Sequence, residues 1–234
     1  MGQKDVLIAT VIGGADEEYD FLAGTLAYHL AMGARILVWE TSARPDYLSP
    51  AWPHGVTAVR RPIYGAGPEF DYAAALNDLS WWVESNTDAK ILVRLDADEY
   101  LPRSFRAALD VARGGRMARV TALHHLSPWW GVYLRRHSTL RAWPTAARVR
   151  HQASGMGAFH PVPAAGAPAE VLLQDIRIQH LRFAIGRKAA EAPAYWVDKE
   201  WPHAQLQPVR DPWPAPIIRW REEARRPTAA VQEG

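Results

Sequence analysis

Three short runs in the first 62 residues of the chain have the apolar and β-branched composition of β-strands. They are DVLIATVI (5–12), ARILVWE (34–40) and VTAVRRP (56–62), and the turn-forming pair Gly13-Gly14 closes the first of them. A fourth run, ILVRL, begins at residue 91. The pattern therefore predicts four strands in the first half of the chain.

Two amphipathic stretches separate these strands. Over residues 16–33, apolar side chains recur at positions 22, 26 and 30, acids occupy the first turn and a glycine ends the stretch, which predicts a helix. A second helix is predicted over residues 68–86. Alternation of this kind predicts an α/β fold with a Rossmann-like, mostly parallel central sheet flanked by helices. Ligands of such sheets bind at the carboxyl ends of the strands.

The second half of the chain is less regular. Strands are predicted in RMARVTALHHL (116–126) and EVLLQDIRIQHLRF (170–183), with a strand and a long Gly/Pro/Ala loop between residues 142 and 170. A helix with an internal proline is predicted over residues 185–201. Neither a repeat nor a linker is visible, so we expect a single domain over residues 1–225 and a flexible tail at 226–234.

Composition places few limits on function. The chain has 234 residues, of which 48% are hydrophobic, so it can bury a full core. It has no cysteine, which excludes disulfides and Cys-type zinc sites. With 27 Lys and Arg against 25 Asp and Glu, it shows no polybasic run typical of a nucleic-acid-binding face. The amino-terminal apolar run is too short for a membrane span and lacks a signal-peptide pattern, so we expect a soluble, cytoplasmic protein.

The stretch ILVRLDADEYL (91–101) places Asp96, Asp98 and Glu99 directly behind a predicted buried strand. Carboxylates repel one another, so this cluster is unstable unless something cationic lies among them. One interpretation is a solvated turn in which an aspartate caps the helix PRSFRAALDVA. The density of acids favours another, a site for Mg²⁺ or Mn²⁺ shared with substrate phosphates. If the strand continues to residue 98, Asp96 and Asp98 project to the same side.

The motif LDADEYL resembles the D-x-D-E motif of family 2 glycosyltransferases, which have the GT-A fold. Two later stretches extend the resemblance, because AARVRHQASGMGAFHPV (146–162) and IRIQHLRFAIGRK (176–188) are similar to segments that follow in related bacterial enzymes. The resemblance covers roughly residues 5–190. It implies a GT-A type catalytic domain in which residues 1–115 form the nucleotide-sugar-binding half and residues 116–225 a less regular acceptor half.

The resemblance also implies an activity, a metal-dependent transfer of a sugar from a nucleotide-diphosphate sugar, of the UDP type, to an acceptor with inversion. Asp98 would bind the Mn²⁺ or Mg²⁺ ion directly, and Asp96 would contact the ribose or a metal-bound water. Glu99 would be a second ligand or would orient the ligands, and His180 would be a late ligand unless it is only structural. The ion would stabilise the charge that develops on the diphosphate leaving group.

The same resemblance implies further donor contacts. Gly13, Asp16, Glu40 and Thr41 occupy places where this fold holds the base of the nucleotide. Three basic residues after the predicted late strand would bind phosphate, although a solvated helix face explains them equally well; they are Arg182, Arg187 and Lys188.

The general base is not identified by any motif. Related enzymes carry a glutamate after the second-half histidine, whereas Pro161 follows His160 in this chain. The candidates are therefore His160, Asp175 and Glu191. The acceptor stays open among a protein, a small molecule, a glycan or lipid-linked sugar, and modified DNA. The Q-x-x-R-W signature of processive synthases is absent, so chain polymerisation is not expected.

Two other classes of protein compete with this interpretation. A nucleotidyltransferase acting on sugar phosphates also uses strand-terminal acids, but it usually has a Gly-rich, basic loop where this chain has the acidic stretch VIGGADEEYD. A non-catalytic carbohydrate- or nucleic-acid-binding module would use exposed tryptophans as stacking platforms. The chain has eleven tryptophans, including the pairs Trp81-Trp82 and Trp129-Trp130, although a single tryptophan is more often a core residue.

Overall fold

The structure of the protein is a computed structural model. It describes residues 4–13, 16–42, 52–61, 63–65, 70–125, 130–153, 159–162, 164–181, 204–209, 213–215 and 217–218. The strands are β1 (Val6–Ile12), β2 (Arg35–Glu40), β3 (Val56–Arg60), β4 (Ile91–Arg94), β5 (Glu99–Tyr100), β6 (Met117–His125), β7 (Trp130–Pro144), β8 (Arg150–Ala153), β9 (Phe159–Val162), β10 (Glu170–His180) and β11 (Ala204–Pro208). The α-helices are α1 (Asp16–Ala31), α2 (Tyr72–Asn86) and α3 (Arg106–Arg113), and short 3₁₀ turns cover Arg103–Phe105 and Thr145–Ala147.

Nine of these strands form one sheet, in the order β3-β2-β1-β4-β7-β6-β10-β5 with β11 paired to β7. The first four strands in this order are parallel to one another. The next strand, β7, runs antiparallel to both β4 and β6, while β10 is parallel to β6. The short β5 pairs antiparallel with the end of β10. The sheet therefore has a parallel half built from consecutive strand–helix units and a mixed half built around a hairpin.

Helices cover both faces of the parallel half, which explains why β1 is buried at all seven positions. On one face, α2 packs against Leu7, Val11 and Leu37 through its own apolar stripe. On the other face, α3 packs against Val6 and Ile8. An aspartate begins α2, because Asp71 accepts a hydrogen bond from the Ala74 amide at 2.9 Å.

The predicted α/β class, with a Rossmann-like, mostly parallel sheet flanked by helices, is confirmed. The extent of β7 was not predicted, because the arginines and the histidine in WGVYLRRHSTLR interrupt the apolar pattern. The condition under which Asp96 and Asp98 would project to the same side, a strand that continues to residue 98, is not met. β4 ends at Arg94, and a turn closed by the hydrogen bond from the Glu99 amide to the Asp96 carbonyl follows. The helix predicted over residues 185–201 and the tail at 226–234 lie outside the described residues.

The described tryptophans mostly serve the core. Trp39, Trp143 and Trp213 are buried, and Trp82 lies edge-on to Trp39 with the ring centres 6.3 Å apart. Trp81, in contrast, is 59% exposed. Among the described helices, none has the length and apolarity needed to cross a bilayer.

Three contacts fasten α1 to the segment that carries the acids. The Thr25 hydroxyl donates to the Ala97 carbonyl at 2.9 Å and the Tyr28 hydroxyl donates to the Leu101 carbonyl at 2.9 Å. The Leu101 amide donates to Nε2 of His29 at 3.3 Å. Burial lowers the pKa of His29 to about 3, so this ring is neutral and can accept the hydrogen bond at physiological pH.

We expect the free energy of unfolding to fall as the pH drops from 6.5 towards about 3, because in that window the unfolded chain protonates His29 and the folded protein does not. His29→Gln keeps an acceptor for the Leu101 amide and removes part of this dependence. Part of it remains, because burial also lowers the pKa of His151 to about 3. Urea unfolding at several pH values measures the slope. His54→Gln, at an exposed histidine, is the control, and equal slopes in the two variants would contradict the assignment.

Candidate active site

The acids of the DADE motif lie where β4 ends beside β1. The Leu95 amide still bonds to the Ala9 carbonyl of β1 at 3.0 Å, after which the chain turns and enters β5. Glu99 is paired in register with His180, the last residue of β10. The Leu181 amide donates to the Asp98 carbonyl at 2.8 Å. The fold therefore brings the motif and the late histidine together at the carboxyl ends of β4 and β10.

Two buried arginines neutralise the first acid. Nη2 of Arg94 lies 2.7 Å from Oδ1 of Asp96, and Nη2 of Arg141 lies 3.6 Å from Oδ2. The Tyr72 hydroxyl donates to Oδ1 at 3.1 Å. Burial alone would raise the pKa of Asp96, but Arg94, Arg141 and His180 together hold that pKa well below its usual range. Asp96 is therefore a fixed carboxylate that accepts hydrogen bonds.

Glu99 is the most enclosed acid, with a side chain that is only 2% exposed. Its Oε1 accepts from Nη2 of Arg141 at 2.6 Å, and its Oε2 accepts from the Asp96 amide at 2.8 Å. Burial raises the pKa of Glu99, and the neighbouring Asp96 and Asp98 add to this while Arg141 opposes it. Both carboxylate oxygens of Glu99 already accept hydrogen bonds within the protein. Of the two predicted roles for Glu99, this geometry therefore favours orienting the turn rather than binding the metal.

Asp98 has a different environment. No arginine forms an ion pair with its carboxylate within the described part of the chain, and Oδ2 lies 3.3 Å from Nε2 of His180. The other ring nitrogen of His180, Nδ1, shares a hydrogen bond with Nδ1 of His124 at 2.8 Å. Burial alone would lower the pKa of His180, but Asp98 and the other two acids raise it overall. Three carboxylates thus face two arginines and one histidine that can carry the third positive charge.

The donor set of this cluster suits a hard divalent ion only in part. Among the described residues there is no group of three or more His, Asp or Glu side chains placed to hold a metal ion. The pair Asp98 and His180 remains, with 3.3 Å between oxygen and nitrogen. Two adjacent ligands of an octahedral ion, each at about 2.1 Å, are about 3.0 Å apart. An ion held by this pair would need its other ligands from water and substrate phosphates.

The ends of β1 and β2 meet beside this cluster. Gly13 has φ +136°, and a Cβ atom there would lie 2.4 Å from the Ser42 amide nitrogen and 2.5 Å from Oγ1 of Thr41. The Thr41 hydroxyl in turn donates to the Ile12 carbonyl at 2.7 Å. Only glycine permits this approach. Of the residues predicted to surround the base, the structure therefore brings Gly13, Glu40 and Thr41 together at one edge.

The remaining predicted residues are not brought to this edge by the described structure. Asp175 is exposed on β10, inside the register irregularity between Leu173 and Arg177, and it precedes the regular stretch from Arg177 to His180, which is about 10 Å long. Asp16 begins α1 and His160 lies in β9, but their side chains lie outside the described part, as do four residues entirely: Arg182, Arg187, Lys188 and Glu191.

Sequence reasoning missed four residues of the cluster, namely Tyr72, Arg94, His124 and Arg141. Arg94 carried a signal, because a charged residue inside the apolar run ILVRL must be paired if the strand is buried. Arg141 carried the same signal within TLRAW. His124 stands in a histidine pair on a predicted strand, but nothing local shows that its partner lies 56 residues away. Tyr72 begins α2 and had no local signal.

Comparison with known proteins supplies no family. No protein-family model and no curated protein sequence matches the chain. Among solved structures, HddC from Yersinia pseudotuberculosis is similar, with a TM-score of 0.46, 9% identity and coverage of 83% of this chain and 100% of that one. A protein of Desulfovibrio desulfuricans G20, proposed to be a nucleotide-diphospho-sugar transferase, is similar over 62% of this chain and 65% of its own, with a TM-score of 0.35 and 9% identity. At this level the likeness concerns architecture and carries no functional argument.

We expect Arg141→Met to lower the free energy of unfolding by about 3–5 kcal/mol at neutral pH, because it leaves Glu99 buried beside Asp96 with no cation in contact. Adding Glu99→Gln should restore part of the loss, since the second change removes the stranded charge. Urea unfolding of both variants measures this. Arg113→Met breaks only surface ion pairs and should lose less than about 1 kcal/mol. Equal losses at positions 113 and 141 would contradict the assignment.

Proposed function

We propose that this chain is a metal-dependent glycosyltransferase that takes a sugar from a nucleotide-diphosphate sugar, of the UDP type, and transfers it with inversion to an acceptor still to be identified. The observation that carries the proposal is that the three acids differ in their ion-pair partners. Arg94 and Arg141 hold Asp96, and Arg141 holds Glu99. Asp98, 15% exposed, faces His180 and is left for an external cation.

In this proposal Asp98 and His180 hold the Mn²⁺ or Mg²⁺ ion. When bound, the ion would act as a Lewis acid and stabilise negative charge on the diphosphate. His180 would give up its proton before binding a metal, so metal affinity rises with pH. Glu99 receives no metal; its two hydrogen bonds keep the turn that carries Asp98 in place.

Asp96 has a separate role. Its lowered pKa keeps it ionised, so it can only accept hydrogen bonds, which suits the hydroxyl groups of a ribose. Tyr72 and Arg94 fix its orientation before the donor arrives, and this preorganisation reduces the entropy that binding must overcome. A water on the bound metal would satisfy the same acceptor.

The remaining assignments follow the positions of the elements. Gly13, Glu40 and Thr41 at the ends of β1 and β2, with Asp16 at the start of α1, would surround the base. Basic residues after β10 would contact the diphosphate; the candidates are Arg182 and Lys188. The general base on the acceptor hydroxyl is His160 or Glu191 rather than Asp175, because Asp175 precedes the regular end of β10 and is separated from His180 by about 10 Å of strand.

The proposal predicts that UDP raises the melting temperature only when Mn²⁺ is present, because the ion bridges the protein and the diphosphate. Asp98→Asn should abolish this metal-dependent rise and slow release of UDP from a UDP-sugar by about 100-fold or more. Thermal scans with UDP, GDP and dTDP, each with and without Mn²⁺, also identify the base. A nucleotidyltransferase would instead form pyrophosphate from a nucleoside triphosphate and a sugar phosphate.

Asp110→Asn is the matched control, since Asp110 is a surface aspartate paired with Arg113. It should behave like the unchanged protein in both measurements. If Asp98→Asn keeps the Mn²⁺-dependent rise with every nucleotide, Asp98 does not bind the ion. If no nucleotide stabilises the unchanged protein with metal, the glycosyltransferase proposal is wrong.

A further inference from the structure

A cavity of about 490 Å³ lies on the side of β5 away from the acid cluster. Its walls come from α1, β5, β10, the 3₁₀ turn at Arg103–Phe105 and the segment at residues 213–214; the lining includes Tyr28, Tyr100, Arg103, Ser104, Gln179 and Trp213. A volume of this size accommodates a small organic molecule. No part of the proposed donor site lines it.

The alternation of side chains along β5 and β10 separates this cavity from the acid cluster. Glu99 and Tyr100 are consecutive, so they project to opposite faces of the sheet. Glu99 faces Arg141, whereas Tyr100 packs with Tyr28 and Trp213. In the same way His180 faces Asp98 while its neighbour Gln179 lines the cavity. A ligand here would therefore occupy a second site.

The polar groups of Tyr28, Gln179 and Trp213, which line the cavity, form hydrogen bonds within the protein. The Trp213 indole N–H donates to Nδ1 of His125 at 3.0 Å, which makes Nε2 of His125 the donor in its 2.8 Å hydrogen bond to the Gln179 Oε1. The side-chain nitrogen of Gln179, Nε2, donates to the Arg177 carbonyl at 2.6 Å. This chain of hydrogen bonds fixes one wall, and Tyr28 is tied to Leu101 on another. The inner surface thus holds three aromatic side chains and Gln179 in fixed positions.

The mouth of the cavity has a different character. Arg103 and Ser104 both line it and are both exposed. Within the described part of the chain, no carboxylate forms an ion pair with Arg103, in contrast to Arg94 and Arg141. The site therefore combines aromatic walls with one guanidinium and one hydroxyl at its entrance. These groups suit a carboxylate or a phosphate.

We propose that this cavity binds a small amphiphilic anion, with a flat apolar ring against the wall formed by Tyr28, Tyr100 and Trp213 and one carboxylate or phosphate on Arg103 and Ser104. The ring contacts aromatic side chains that already pack against one another, so little conformational entropy is lost. The site is independent of glycosyl transfer and stands whether or not the chain binds a nucleotide sugar.

The test uses the full chain and three probes, 2-naphthoate, 2-naphthyl phosphate and neutral 2-naphthamide, with binding measured by isothermal titration calorimetry. The anionic probes should bind more tightly than the amide, and the tighter of the two identifies the head group. Arg103→Gln should weaken binding of the anions by about tenfold and leave the amide unchanged, because only the anions use the guanidinium. Ser104→Trp should abolish binding of all three by filling the mouth.

Arg106→Gln is the matched control, since Arg106 is an exposed arginine three residues further on that does not line the cavity. It should bind every probe as the unchanged protein does. The proposal is overturned if Arg103→Gln binds the anions normally, if Arg106→Gln weakens them equally, or if the amide binds as well as the anions. Displacement of the probes by UDP with Mn²⁺ would also overturn it, because the two sites would then be one.

Discussion

The structure of the site depends on neutralising three carboxylates that follow one another at the end of a buried strand. Arg141 contacts both Asp96 and Glu99, and Arg94, the last residue of β4, contacts Asp96. Without these cations the turn would place like charges together in a region of low dielectric constant, which is strongly unfavourable. The antiparallel insertion of β7 between β4 and β6 brings Arg141 to this position. The mixed half of the sheet thus supplies a cation that stabilises the acids at the edge of the parallel half.

The same arrangement gives each acid its own role. Arginines hold Asp96 and Glu99, whereas Asp98 is paired with His180, the residue that the proposed function makes a metal ligand. A protein that needed only charge balance could have used a third arginine. The weaker, titratable partner at Asp98 supports the proposal that an external cation binds there.

The short strand β5 contributes one residue to the acid cluster and one to the aromatic cavity, because its two side chains project to opposite faces of the sheet. Glu99 and His180 belong to the acid cluster, while Tyr100 and Gln179 line an aromatic cavity. The two adjacent histidines of β6 divide in the same way, because His124 contacts His180 and His125 contacts Gln179. Each face has its own hydrogen-bonded network, so the proposed donor site and the proposed anion site can be altered separately.

The sequence by itself determined the strand–helix alternation, the sheet class and the position of the acids at a strand end, because apolar periodicity and turn residues are local signals. It could not determine which charges meet, since Arg141 lies 42 residues from Glu99 and His180 lies 81 or more from every acid of the motif. It also left open where β4 ends, because the local pattern does not show that a tight turn follows Arg94. Only the tertiary structure decided that buried arginines pair with Asp96 and Glu99 while His180 pairs with Asp98. The reason is that these ion pairs depend on packing between segments that are distant in the sequence.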